Sequence, residues 1–97
     1  MAGYVYILLC SNNSFYVGST KNIEKRYAEH QNGEGANHTR KYPPVELLYY
    51  EYYTNIADAF YREKQIQRWS RAKKEALING EFDKLPKLSK KIFRKKK

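Results

Sequence analysis

Two short apolar runs near the start of the chain limit its fold more than any other feature. Tyr4 to Cys10 reads YVYILLC and Phe15 to Thr20 reads FYVGST, with the polar break Ser11-Asn12-Asn13-Ser14 between them. Strand formers on both sides of an Asn-rich break predict a β-hairpin. Hairpin loop length then decides which side chains share a face. Tyr6 and Tyr16 share one only if the loop is odd, for instance Asn12-Asn13-Ser14, whereas a two- or four-residue loop separates them.

Beyond the hairpin the pattern turns helical. Asn22 is placed to cap a helix from Ile23 to about Gln31, with Gly33 to end it. Asn32 to Pro44 holds two glycines and two prolines and is expected to be a loop. Val45 to Thr54 (VELLYYEYYT) reads as a third strand. Asn55, with Asp58 three residues on, resembles a capping box for a helix running to about Trp69. Ser70 can cap a further short helix, closed by Gly80. The order ββαβαα implies an α+β fold, a three-stranded antiparallel sheet flanked by helices. Trp69 is expected to pack in the core or at the helix end, and Phe82, Leu85 and Leu88 to lay an irregular tail on the body.

A chain of 97 residues with 15% aromatic content, ten of its residues tyrosine, has a thin core. Folding at this size buries only about 60–65% of the unfolded surface, so a polar cleft must be shallow and built at the core's edge. The net charge is +9, but Lys84 to Lys97 carries eight basic residues and no acidic one, leaving eleven basic against ten acidic in residues 1–83. The expected division is a folded domain over 1–83 and a basic, disordered tail over 84–97. Such a tail either holds phosphate backbones without sequence preference or simply solubilises the chain. One cysteine, Cys10, and two histidines give no internal disulfide and no zinc spacing. Cys10 reads as a small apolar strand residue. No leader pattern opens the chain, and its longest apolar run is too short to cross a bilayer. These features suggest the cytoplasm and no membrane partner.

The chemistry-bearing residues each have a bland reading. On the second long helix Ile56, Ala59, Phe60 and Ile66 share an arc with Glu63 in its middle. A carboxylate there must be paired, protonated or bound to a cation; a structural salt bridge, for instance to Arg26, is the plain alternative. Arg26 and His30 lie four residues apart on one helix face. Arg26 can clamp a phosphoryl oxygen and His30 can position or protonate a neighbour, or both simply face solvent beside Glu29 and Lys25. Tyr6 and Tyr16 are packing residues or, with a lowered pKa, a general base. Tyr49, Tyr50, Tyr52 and Tyr53 read as strand packing, with stacking of unpaired bases as the alternative.

Taken jointly, Tyr6, then Tyr16-Val17-Gly18, Arg26, His30 and a later helical Glu63 resemble the GIY-YIG nuclease superfamily. The segment Asn32-Gly33-Glu34-Gly35-Ala36 with Thr39-Arg40 is similar to its small stand-alone bacterial branch, and the likeness spans roughly Gly3 to Ile78. That resemblance implies one divalent cation, magnesium or manganese, on Glu63. It also implies a hairpin tyrosine activating water, with Tyr16 slightly preferred because Gly18 would leave room for a backbone to approach. Arg26 would stabilise the phosphorane-like transition state, and His30 would assist the tyrosine. Two departures stand out: tyrosine at position 4 replaces the signature glycine, and Ser19 stands where the excision-repair nuclease UvrC has lysine, a charge that Lys21 would supply from another position. Substrate contacts would fall to Lys21, Thr39, Arg40, Lys41, Arg68 and Lys73 with the basic tail, giving low, salt-sensitive affinity.

Three functions follow: a structure-selective or weakly specific DNA endonuclease in repair or recombination, a nucleic-acid-binding module with little catalysis, or an interaction domain whose polar cluster is an ion-pair network. Larger members of the superfamily gain specificity from a second domain, so a protein partner is expected to supply it here.

Overall fold

The computed structural model describes residues 1–81; the expected tail, with Phe82, Leu85 and Leu88, lies outside the described residues. Strands β1 (Gly3–Cys10) and β2 (Phe15–Thr20) are followed by helices α1 (Ile23–Gln31) and α2 (Asn37–Lys41), then strand β3 (Pro44–Tyr53) and helices α3 (Ile56–Gln67) and α4 (Arg71–Ile78). The sheet is antiparallel with order β2-β1-β3.

The hairpin loop is odd. Cys10 N donates to Ser14 O at 2.8 Å and Asn13 N to Cys10 O at 2.8 Å, leaving a three-residue loop of Ser11, Asn12 and Asn13, one position earlier than expected. Asn13 adopts φ of 69°, the left-handed conformation that closes such a loop. The register pairs Tyr6 with Gly18 and Leu8 with Tyr16, so Tyr6 and Tyr16 share a face.

The caps fall where the sequence places them. Asn22 accepts from Lys25 N, Asn55 from Ala57 N and Ser70 from Lys73 N, each satisfying an orphan amide of its helix's first turn. Gly80, with φ of 74°, follows α4. The segment expected to be a loop contains α2 instead, because Ala36 O accepts from both Arg40 N and the Thr39 hydroxyl. The order is therefore ββααβαα. Helix α3 stops at Gln67, two residues short of the expectation.

Val5, Ile7 and Val17 form the core with Ala59, Ile66 and Leu77, and Trp69, Phe15, Tyr49, Tyr53, Ile56 and Ile78 pack around them. These odd-numbered sheet positions face α3. The even-numbered face carries Tyr4, Tyr6, Tyr16 and Gly18 and is covered in part by α1, whose His30 meets the tyrosine rings. Phe60 overturns the expected α3 arc: it is 51% exposed. The buried stripe runs through Ala59 and Ile66 and leans toward half-buried Arg62, so Glu63 sits at the rim of the interface rather than among apolar neighbours. Cys10 is buried, as expected of a small apolar strand residue. No helix among the described residues is long and apolar enough to cross a membrane.

Candidate active site

Tyr6 is 2% exposed, and its phenol lies over Gly18, its cross-strand partner. A Cβ at position 18 would collide with the Tyr6 hydroxyl and crowd the Tyr16 ring. The space that Gly18 was expected to leave for an approaching backbone is therefore filled by Tyr6 itself. Tyr16 lies beside it, ring centroids 6.4 Å apart, stacks on His38 at 6.1 Å and 17°, and leans on His30 at 5.1 Å.

His30 is fully buried, and its hydrogen bonds run in one direction. The Thr39 hydroxyl donates to Ala36 O at 3.0 Å. Having spent its proton there, Thr39 Oγ1 must accept from His30 Nδ1 at 2.7 Å, which fixes the Nδ1–H tautomer of the neutral ring. His30 Nε2 is then the acceptor, and the Tyr6 hydroxyl donates to it at 2.8 Å. Gly35 covers the ring; a Cβ there would collide with Nδ1. Burial, with help from the Arg26 charge, pushes the His30 pKa down to about 4. Burial pushes Tyr6 up to about 12, with Tyr16 and Glu63 adding to the rise and Arg26 opposing it. Tyr16 is raised in the same way, by burial first and by Glu63 second.

Arg26 and Glu63 bracket these phenols without pairing with each other. Arg26 donates from Nη1 to Glu29 Oε1 at 3.0 Å, so the salt bridge imagined between Arg26 and Glu63 is not formed. Glu63 accepts from the Ser19 hydroxyl through Oε1 and from Gln67 Nε2 through Oε2 at 2.8 Å; the same amide reaches Val17 O at 3.3 Å. Glu63 thus hangs over the outer strand β2, one residue past Gly18, where its charge acts on both phenols of the opposite face.

Among the described residues no three His, Cys, Asp or Glu side chains cluster in a way that could hold a metal ion. A dedicated cage is not what a hard divalent cation requires, since magnesium is commonly held by one or two carboxylates with water and substrate phosphate supplying the rest. Half-buried Glu63, tethered by two neutral donors, fits that donor set.

The expected substrate contacts divide. Lys21 lines a hollow of about 370 Å³ with Thr20, Asn22, Lys25, Arg26 and Glu29. Arg40 and Lys41 are exposed on α2. Thr39 is fully buried and cannot touch a strand; it is the partner of His30 instead. Arg68 lines a different hollow, with Tyr61, Lys64, Gln65 and Trp69, and Lys73 lies 4.2 Å from the Trp69 ring centroid. Ser19, Gln67, Gly35 and His38 went unremarked as site residues. Two signals were available: Ser19, which reads in the sequence as a departure and here tethers the glutamate, and Gly35, part of the loop segment that carries the family resemblance, which here covers the His30 ring.

Residues 2–76 match the GIY-YIG catalytic domain. The chain belongs to the GIY-YIG family, a family of nucleases that are generally metal-dependent. It is 47% identical over 78 residues to a UPF0213 protein of Natronomonas pharaonis, covering 80% of this chain and 92% of that one. A UPF0213 protein of Clostridium perfringens is 46% identical, covering 79% and 83%. Among solved structures, a UPF0213 protein of Bacillus halodurans studied by NMR in solution superposes with a TM-score of 0.54 at 35% identity, covering 92% of this chain and 98% of that one. The GIY-YIG chain thus spans most of each relative's length, in keeping with a small stand-alone family.

Proposed function

We propose that this protein is an endonuclease that hydrolyses DNA phosphodiester bonds with one divalent cation, magnesium or manganese, and acts in repair or recombination. The observation that carries the reading is the directed chain from Tyr6 through His30 to Thr39, set between a guanidinium and a carboxylate that are not paired with each other. Glu63 would hold the cation, which when bound supplies Lewis-acid polarisation of the scissile phosphate.

The chain's own residues account for the remaining steps. Arg26 faces the phosphate and offsets charge that grows in the transition state. The Tyr6 proton points at His30 Nε2, which leaves the phenol oxygen's lone pairs to accept a proton from the attacking water. As that proton arrives, Tyr6 passes its own to His30, and Thr39 keeps the imidazole oriented. Proton transfer thus falls to Tyr6 and not to Tyr16, the phenol slightly favoured by the sequence, because Tyr6 holds the hydrogen bond to a base. Tyr16 walls the cleft and limits water.

One observation favours a second reading, a nucleic-acid-binding module with little catalysis: Arg26 and Glu63 each already have protein partners. Nicking of supercoiled plasmid and cleavage of branched DNA with magnesium separates the two. The nuclease reading expects cleavage by the wild type and its loss in both Glu63→Ala and Arg26→Ala. Equal cleavage by all three chains would rule out this site, and no cleavage of any substrate by the wild type would leave the binding module.

A further inference from the structure

On the even face of the sheet, past the edge of α1, the register sets Tyr52 across from Tyr4 and Tyr50 across from Tyr6. Tyr4 meets Tyr50 edge-on at 5.9 Å and Tyr52 at 5.4 Å, while Tyr50 and Tyr52 are each 56% exposed. An open sheet face is normally polar; this one shows a row of phenols beside the cleft.

The row is joined to the cleft by a cation. Lys21 and Asn22 line both the Arg26 hollow and a second hollow of about 360 Å³ formed with Tyr4, Ile23 and Glu24. Across both hollows Lys21, Lys25 and Arg26 face Glu24 and Glu29, and Glu29 is already paired with Arg26, so the path carries net positive charge. The neighbouring tyrosines of the same strand contrast with these. Tyr49 and Tyr53 turn to the opposite face and spend their hydroxyls on Glu51 at 2.6 and 2.7 Å. Core packing and hydrogen bonding therefore account for Tyr49 and Tyr53, whereas Tyr50 and Tyr52 pack on Tyr4 and keep more than half of their surface open.

We propose that Tyr4, Tyr50 and Tyr52 are a stacking platform for unpaired bases of a nucleic-acid strand whose phosphates follow Lys21 toward Arg26. Rings beside a basic track are how single strands are held without sequence preference, because every base offers a π-face. The substrate class is then nucleic acid with a single-stranded segment at the cut, such as a flap, fork or frayed end. This rests on the nuclease reading of the cleft and adds what that cleft selects.

The test is binding by the full chain in EDTA, so that nothing is cut. Probes are fluorescein-labelled oligo-dT of about 12 nucleotides, within the span such surfaces cover, and a blunt duplex of equal length. The wild type is expected to bind oligo-dT, and Tyr50→Ala/Tyr52→Ala to weaken it about tenfold or more. Tyr50→Phe/Tyr52→Phe is expected to retain it, and duplex binding to change by less than about twofold across the set. A Tyr50→Leu/Tyr52→Leu pair keeps apolar bulk should the alanines unfold the sheet, and is expected to lose oligo-dT binding as they do. In the wild type, 2-aminopurine within the strand should change its emission on binding, which needs no variant. The proposal is overturned if the wild type ignores oligo-dT, if the 2-aminopurine emission does not move, if the leucine pair binds oligo-dT like the wild type, or if single-strand and duplex binding fall together. A chain that stacks oligo-dT but never nicks DNA would sink the nuclease reading alone. One that nicks DNA while its leucine pair binds oligo-dT normally would sink the platform alone.

Discussion

Tyrosine, glutamate and arginine come together at two places in this fold, one on the α3 face of the sheet and one spread around its β2 edge, with opposite results. On the α3 face Arg62 grips Glu51 through two nitrogens at 3.0 and 3.1 Å, and Tyr49 and Tyr53 donate to the same carboxylate. Burial works to raise the Glu51 pKa, but these hydrogen bonds outweigh it and hold the carboxyl below its usual range. On the cleft side Arg26 and Glu63 are kept apart, and Tyr6 donates to a histidine rather than to a carboxylate. A closed set of partners holds a fold together and has nothing left for a ligand. Charges held apart, each on a weaker partner, are what the nuclease reading needs for a phosphate and a cation to complete them.

The contrast breaks first at the two glutamates. Glu63→Gln is expected to cut plasmid nicking by about a hundredfold or more while the melting temperature hardly moves, because the amide still accepts from Ser19. A Glu63→Gln chain as active as the wild type would erase the distinction between the clusters. Arg62→Met should do the reverse. It leaves Glu51 half-buried without its cation, at a cost of about 2–3 kcal/mol, and lowers the melting midpoint by about 10–20 °C. Activity per folded molecule should be retained.

Acid gives a subtler separation. His30 has its pKa lowered from 6.5 to about 4, so between those values the unfolded chain binds a proton that the folded chain refuses. Stability is full above pH 6.5 and falls by about 2–3 kcal/mol on the way to pH 4. Glu51, lowered from 4.5, loses its contribution only below that value. The unfolding free energy from urea titrations at pH 7 and pH 5 should therefore differ in the wild type and much less in His30→Gln; equal wild-type stabilities at the two pH values would refute the neutral buried imidazole.

The smallest expected effect is at Gly35, where alanine must displace the His30 ring, costing about 1–3 kcal/mol by overpacking. The signature is a shift of the imidazole NMR resonances, whereas alanine at Gly33, where a Cβ meets nothing nearby, leaves them in place and costs stability only through its positive φ.

Much of the architecture was written locally. The three caps at Asn22, Asn55 and Ser70 and the period-2 alternation within each strand follow from neighbouring residues, which need no distant partner. The sequence tied Tyr6 and Tyr16 to one face only on condition of an odd loop, and the structure supplied that loop. Helix α2 was missed because Gly35 and the flanking Pro43 and Pro44 suggested a loop, while what forms it is the Ala36 carbonyl collecting Arg40 N and the Thr39 hydroxyl. The family was legible because its side chains recur at set positions along the chain.

What the sequence determined, then, is the parity of each strand and the phase of each helix relative to itself. Only the tertiary structure decided which way α3 is turned against the sheet, so that Arg62 faces inward, Phe60 faces water and Glu63 stays at the rim. It also decided that Thr39 is buried against His30, and that Arg26 takes Glu29 instead of Glu63. The reason is that a helix's own pattern leaves its rotation open to within about one residue, or 100°, and that choice is made by the fit of elements forty residues apart.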